Sequence, residues 1–114
     1  MSAEIILPIL VGIAKKKGRD TYTNVSVNLG WDMRLSRDRN KISKVLYEIS
    51  WEEHQNGRPL LSVVVVRGRN GVPTSNPGKG FYVMARGMGF EFQDDEQFFR
   101  EELKRVHDYW AKLK

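Results

Sequence analysis

Residues 67–81 read RGRNGVPTSNPGKGF, directly after four valines (Val63 to Val66) and directly before a return to apolar residues. Apolar strand, glycine-rich loop ending in Gly-Lys, then helix is the layout that cradles the phosphates of a bound nucleotide. That chemistry requires the spacing Gly-x-x-x-x-Gly-Lys-Ser/Thr, whose hydroxyl holds magnesium. Here Gly71 and Gly78 have six residues between them, and Lys79 is followed by Gly80. No second apolar strand ends in an aspartate to complete the metal's contacts. Nucleotide hydrolysis is therefore not expected. What remains is a basic, hairpin-like tip. Its backbone N–H groups from Gly78 to Phe81, with Gly78 and Gly80 at a helix start beside Lys79, suit an anion. A turn rich in Gly and Pro for local reasons explains each glycine taken singly.

The other reactive side chains form no catalytic set. The chain has no cysteine, which excludes disulfides, thiolate metal sites and a thiol nucleophile. His54 follows Glu52 and Glu53, and His107 neighbours Asp108; two isolated histidines lack the ligand spacing of a zinc site. Asp94, Asp95 and Glu96 are better explained as acids at the positive end of a helix than as metal ligands. A nuclease centre wants an acid and a Glu-x-Lys on adjacent strands, whereas the one strong strand reads Val-Val-Val-Val-Arg. The expectation is a chain that is not an enzyme and takes no cofactor and no metal.

Charge gives the more useful signal. Residues 1–90 hold 14 Lys/Arg against 7 Asp/Glu, and residues 91–114 hold 5 against 7. No acid occurs between Glu53 and Glu91, where Arg58, Arg67, Arg69, Lys79 and Arg86 lie. A second group, Arg34, Arg37, Arg39, Lys41 and Lys44, crowds the start of a helix. Cations there oppose the helix dipole, at a cost of tenths of a kcal/mol, about 0.3 or more. Two such groups suggest a polyanionic partner.

These groups need elements to position them. The 114 residues, 40% hydrophobic and 29% charged, fit one globular domain spanning 1–114. Ile6, Ile9, Leu10 and Ile13 recur at helical spacing, predicting a helix from about Ala3 to Lys17, with its regular part starting near Pro8 and Gly18 closing it. Ile5 to Ala14 is too short to cross a bilayer, and Glu4 before it and Lys15 to Lys17 after it reverse the charge order of a secretory signal. The expected location is cytoplasmic. Thr21-Tyr22 reads as a very short strand, followed by a one- to two-turn helix capped by Thr23 and ended by Gly30, although the β-propensity of this stretch also suits a strand. Ser36 to Gly57 is a helix capped by Ser36, with Ile42, Val45, Leu46 and Ile49 buried. Leu60 to Val66 is the strongest strand, covered on both faces. Its pairing partner lies near Thr21-Tyr22, after the loop, or in a second copy of the chain, which would make it an oligomer contact. Phe81, Met84, Ala85 and Met88 predict a further helix, and Phe99, Leu103, Val106, Trp110 and Leu113 a last one from Asp94 to Lys112. Trp31, Trp51, Trp110, Phe98, Phe99 and Tyr109 are assigned to the core or its edge; Trp31 and Tyr22, near cations, also suit stacking on bases.

In order, the landmarks TY…LGW, GRPLLSVVVVRGRNGVPTSNPGKGFYVMARGMG (57–89) and FF…EL…V…YW resemble a small, poorly characterised prokaryotic family of stand-alone domains, over nearly the whole chain. The likeness implies a helix after the TY pair and brings no activity with it; the loop here is longer than that family's usual short Gly-Pro-Gly turn. The same order is more distantly similar to the winged-helix half of DNA alkyltransferases. Their proline–cysteine–histidine–arginine motif is absent, since Pro59 is followed by LLSVVVV. That likeness implies DNA-binding geometry without alkyl transfer, and hence DNA rather than RNA.

The expected fold is α+β, mostly helical, with a very small sheet in winged-helix-like order. The expected function is a non-enzymatic nucleic-acid-binding module. Arg34, Arg37, Arg39 and Lys41 at the helix start, with Arg67, Arg69 and Lys79 on the loop, would contact phosphates. The alternative is a protein-interaction module that docks on a larger nucleic-acid enzyme.

Overall fold

The computed structural model describes residues 2–113. Five α-helices and four two-residue strands follow one another as α1 (Ser2–Lys15), β1 (Asp20–Thr21), α2 (Tyr22–Ser26), α3 (Ser36–Gln55), β2 (Val65–Val66), β3 (Gly68–Arg69), β4 (Val72–Pro73), α4 (Lys79–Gly87) and α5 (Asp95–Ala111). Turns of 3-10 helix extend α2 (Val27–Leu29) and precede β2 (Leu61–Val64). The fold is the mostly helical α+β domain expected. Helix, strand, short helix, long helix, strand and hairpin succeed one another in winged-helix-like order.

The centre is Leu60 to Val66, every side chain of which is buried. α1, α3 and α5 all pack on the 3-10 turn within it. A fully buried Val or Leu contributes about 1.5–3 kcal/mol relative to exposure, so this segment is the main apolar anchor. It is not the continuous strand its composition predicts. Only Val65 and Val66 pair, in parallel, with Asp20 and Thr21. β1 is too short to satisfy a longer partner, so Val63 N–H turns back to Leu60 O, and side chains of two helices accept from the N–H groups of Leu60 and Ser62. Glu102 of α5 accepts from Leu60 N–H at 2.7 Å, and Ser50 Oγ of α3 accepts from Ser62 N–H at 3.1 Å. Ser62 Oγ and Ser50 Oγ are also hydrogen-bonded, at 2.6 Å. The apolar side chains of the segment are all covered within the one chain.

α3 buries the expected stripe of Ile42, Val45, Leu46 and Ile49. α1 buries Ile6, Leu10 and Ala14, with Ile9 and Ile13 half-buried, and α4 buries Phe81, Met84 and Ala85, with Met88 half-buried. α5 buries Phe98, Phe99 and Val106, with Leu103 and Trp110 half-buried, while Leu113 is exposed. The helix ends differ in detail. α1 begins at Ser2, with Pro8 inside it. Both Pro8 and Glu4, the residue whose carbonyl loses a donor, are exposed, where solvent replaces the missing N–H. The left-handed residue closing α1 is Lys17 (φ 56°), and Gly18 N–H then reaches back to Ile13 O. α2 is capped by Thr21, whose hydroxyl accepts from Asn24 N–H, rather than by Thr23. Ser36 is the first residue of α3, not its cap; Leu35 holds the cap position and makes no side-chain bond. The chain enters α3 through Asp32 instead. The Asp32 carboxylate accepts from Arg34 N–H, and its own N–H donates to the buried Asp38 carboxylate. Asp94 caps α5 by accepting from Gln97 N–H, as its position among three acids suggests.

No helix among the described residues is long and apolar enough to cross a membrane.

Candidate functional site

The glycine-rich segment folds as two parts. Its first part is the hairpin β3–β4, in which Gly68 faces Pro73 and Arg69 faces Val72. Asn70 and Gly71 form the tip at φ 52° and 75°, the left-handed pair a two-residue hairpin turn requires. Asn24 of α2 holds this tip: its side-chain N–H₂ donates to Gly71 O and to Asp20 Oδ1, both at 2.8 Å. Gly68 is fixed by space. A Cβ there would lie 2.2 Å from Val72 O and 2.5 Å from Thr21 Cγ2.

The second part, Thr74 to Gly78, returns the chain to α4. Arg67 N–H donates to Asn76 O and Thr74 N–H to Arg67 O. Gly78 N–H donates to the Tyr22 hydroxyl at 2.9 Å, and Phe81 N–H to Gly78 O. The expected anion site of consecutive N–H groups is therefore reduced, since the donors of Gly78 and Phe81 are already engaged. Burial raises the Tyr22 hydroxyl above its ordinary value, against the opposing pull of Gly78 N–H and of Arg67. It stays neutral and locks α2 to the start of α4.

Between this segment, α2 and α3 lies a cleft of about 750 Å³, mostly apolar in its lining. Ile42, Leu46, Phe81 and Met84 contribute apolar surface, and Tyr22 and Tyr47 contribute rings. Ser62, on the central segment, also reaches it. Three cations line it: Arg39 and Lys44 from α3, and Arg67 from the foot of the hairpin. No acidic side chain does. Among the described residues none of these three cations has an acidic ion-pair partner. Arg39 makes one internal bond, from Nη1 to Met33 O at 2.8 Å.

Of the residues proposed from sequence, Arg39, Arg67, Gly78 and Gly80 thus meet in one cleft. The others do not line it. Arg34 is tied to Asp32 through two nitrogens (Nε–Oδ1 3.0 Å, Nη2–Oδ2 2.8 Å). The hydrogen bonds from Arg34 pull the Asp32 carboxyl down to about 2, and the pair raises Arg34 further. Arg37 and Lys41 each stand 3.8 Å from Asp38. Lys41 also lies 5.9 Å from the centroid of Trp31, in a shallower depression shared with Lys44 and Glu48. Arg69 is exposed on the hairpin, and the exposed Lys79 sits between the two lining glycines. The crowd of cations at the start of α3 is thus partly neutralised by Asp32 and Asp38, neighbours in the sequence whose pairing with Arg34, Arg37 and Lys41 a charge count does not resolve.

No family model, no curated protein and no solved structure matches this chain.

Lys44 and Tyr47 were missing from the set proposed from sequence. Lys44 shares the charge signal of its neighbours. Tyr47 and Trp51 stand one turn apart on α3, off the buried stripe, and that spacing is the sign that would have found them. Trp51, assigned to the core edge, is 44% exposed, and Tyr47 46%. Phe98 and Phe99 are buried as expected, and Trp31 and Trp110 are partly so. His107 Nε2 lies 2.9 Å from Gly18 O, and His54 packs on Phe90. No group of three or more potential metal ligands occurs among the described residues.

Proposed function

We propose that this domain is a nucleic-acid-binding module whose α3 and hairpin grip a phosphate backbone across the cleft. One observation carries the reading: Arg39 and Lys44 of α3 and Arg67 of the distant hairpin foot line a single cleft that has no acidic residue, and among the described residues all three are without an acidic partner. Cations held without counter-charges at a concave surface focus the field on an anion. Arg69 and Lys79 extend the same sign along the hairpin and the start of α4, and Arg37 lies exposed at the start of α3. In this role the side chains position a backbone and catalyse nothing. The more distant sequence likeness to a DNA-binding half-domain favours DNA over RNA.

A second reading has its own support. The apolar lining of the cleft suits a side chain of a partner protein, the module then docking on a larger nucleic-acid enzyme.

Titration of labelled DNA and RNA by fluorescence anisotropy separates the two. The nucleic-acid reading predicts binding at low micromolar protein that weakens steeply as salt rises, through counterion release. Failure to bind any nucleic acid at low salt, with one protein retained in a pull-down after nuclease treatment, would establish the second reading instead.

A further inference from the structure

Tyr47 and Trp51 stand on the outward side of α3 with rings parallel within 6° and centroids 6.4 Å apart. Each is nearly half exposed. They contribute little to the core, whose α3 stripe is Ile42, Val45, Leu46 and Ile49. Tyr47 lines the cleft, and Trp51 follows one turn further on. Arg39, Ser43, Tyr47 and Trp51 are spaced four residues apart, so they form one continuous row along the helix. Lys44 flanks that row, and Arg67 faces it across the cleft. Two flat rings beside three cations without acidic partners are the parts of a surface that stacks bases while holding phosphates.

Resting on the nucleic-acid reading above, we propose that Tyr47 and Trp51 are a stacking platform for unpaired bases, so that the preferred ligand is a single strand. Its phosphates run along Arg39, Lys44 and Arg67. In a duplex the base faces are occupied by neighbouring pairs, and an exposed aromatic row has nothing to stack on; unpaired bases present those faces freely. Glu48 and Glu52 follow the two rings in sequence, and helical rotation of about 100° per residue carries them off the row. Glu48 lines the other depression, with Lys41, Lys44 and Trp31. Lys44, Glu48 and Glu52 share the neighbouring row of the helix, four residues apart, so the acids border the ring row on the side of Lys44 and leave the side of Arg39 and Arg67 free of acid within the cleft lining.

The test measures binding of a labelled oligothymidylate, an oligouridylate and a self-complementary duplex by the wild type, Tyr47→Ala, Trp51→Ala, Trp51→Phe and Lys44→Ala, each over a salt series. Both rings are exposed, and unchanged circular dichroism verifies the fold of each variant. The expected result is a loss of about tenfold or more in single-strand affinity for each alanine variant, with an unchanged salt slope and little change for Trp51→Phe. Lys44→Ala reduces the slope. Duplex binding is weaker and indifferent to the rings. With Trp31 and Trp110 replaced by Phe, the remaining Trp51 fluorescence is quenched by either single strand. Alanine variants that bind the single strand as the wild type does, while Lys44→Ala weakens it, overturn the platform and leave the nucleic-acid reading standing. Absence of salt-sensitive binding to all three probes overturns both.

Discussion

At the scale of single residues, two carboxylates do opposite work. Glu102 is fully enclosed and accepts the N–H of Leu60, a group that no strand serves. Its outer oxygen meets Arg105 at 2.5 Å. Glu102→Ala strands that buried N–H and is expected to cost about 1–3 kcal/mol for the lost acceptor, with a further loss from the cavity. Glu102→Gln keeps an acceptor in place and costs less. Urea unfolding of the two variants measures the difference. Asp32, in contrast, is held in its charged form by Arg34. Because its folded pKa is depressed, its contribution to stability is present above the ordinary value of 3.8 and is lost as pH falls toward about 2. An NMR titration of the Asp32 carboxyl checks that window. The same pairing withholds Arg34 from a ligand. Asp32→Asn keeps the acceptor for Arg34 N–H but frees the guanidinium, so nucleic-acid affinity rises and the salt slope steepens by about one. Neither role was legible in the sequence: Glu102 occurs in a charged run of α5, and nothing in its neighbours points to Leu60, forty-two residues away.

At the scale of elements, periodicity was a good guide wherever a helix buries one face. The stripe of α3 follows directly from residue spacing, and that of α5 does at Phe99 and Val106 though not at the exposed Leu113, because a helix supplies its own backbone bonds and needs only a surface to cover. The segment Leu60 to Val66 was misread as a strand for the converse reason. Valine content reports burial, while a strand also needs a neighbour, and β1 provides only two residues of one. The hairpin is the other long-range element. It is held by Asn24 and by the absence of a side chain at Gly68. Gly68→Ala forces a methyl against Val72 O and Thr21 Cγ2, and overpacking of that kind costs about 1–3 kcal/mol. Hydrogen exchange is expected to rise at Arg69 and Val72, the paired residues next to the tip. Protection equal to that of the wild type would mean that the hairpin tilts freely to admit the methyl.

At the scale of the whole molecule, the charge asymmetry of the sequence correctly separated the basic first ninety residues from the acidic remainder. It could not distinguish free cations from paired ones. Asp32 and Asp38, interleaved with the cations in the sequence, pair with Arg34, Arg37 and Lys41, and Arg39, Lys44 and Arg67 are left around the cleft. α5 directs Asp95 to Arg86 and Glu96 to Arg100 and to Asn76 of the glycine-rich segment, and none of its acids lines the cleft. The proposed function requires side chains from α3 and from the hairpin to act on one ligand. The most direct test is the salt dependence of nucleic-acid binding for Lys44→Ala, Arg67→Ala and the double variant. If both cations hold the same bound backbone, each single variant lowers the logarithmic salt slope by about one and the double variant by about two, with affinity falling for every sequence tested. Slopes identical to that of the wild type in all three variants would contradict the account.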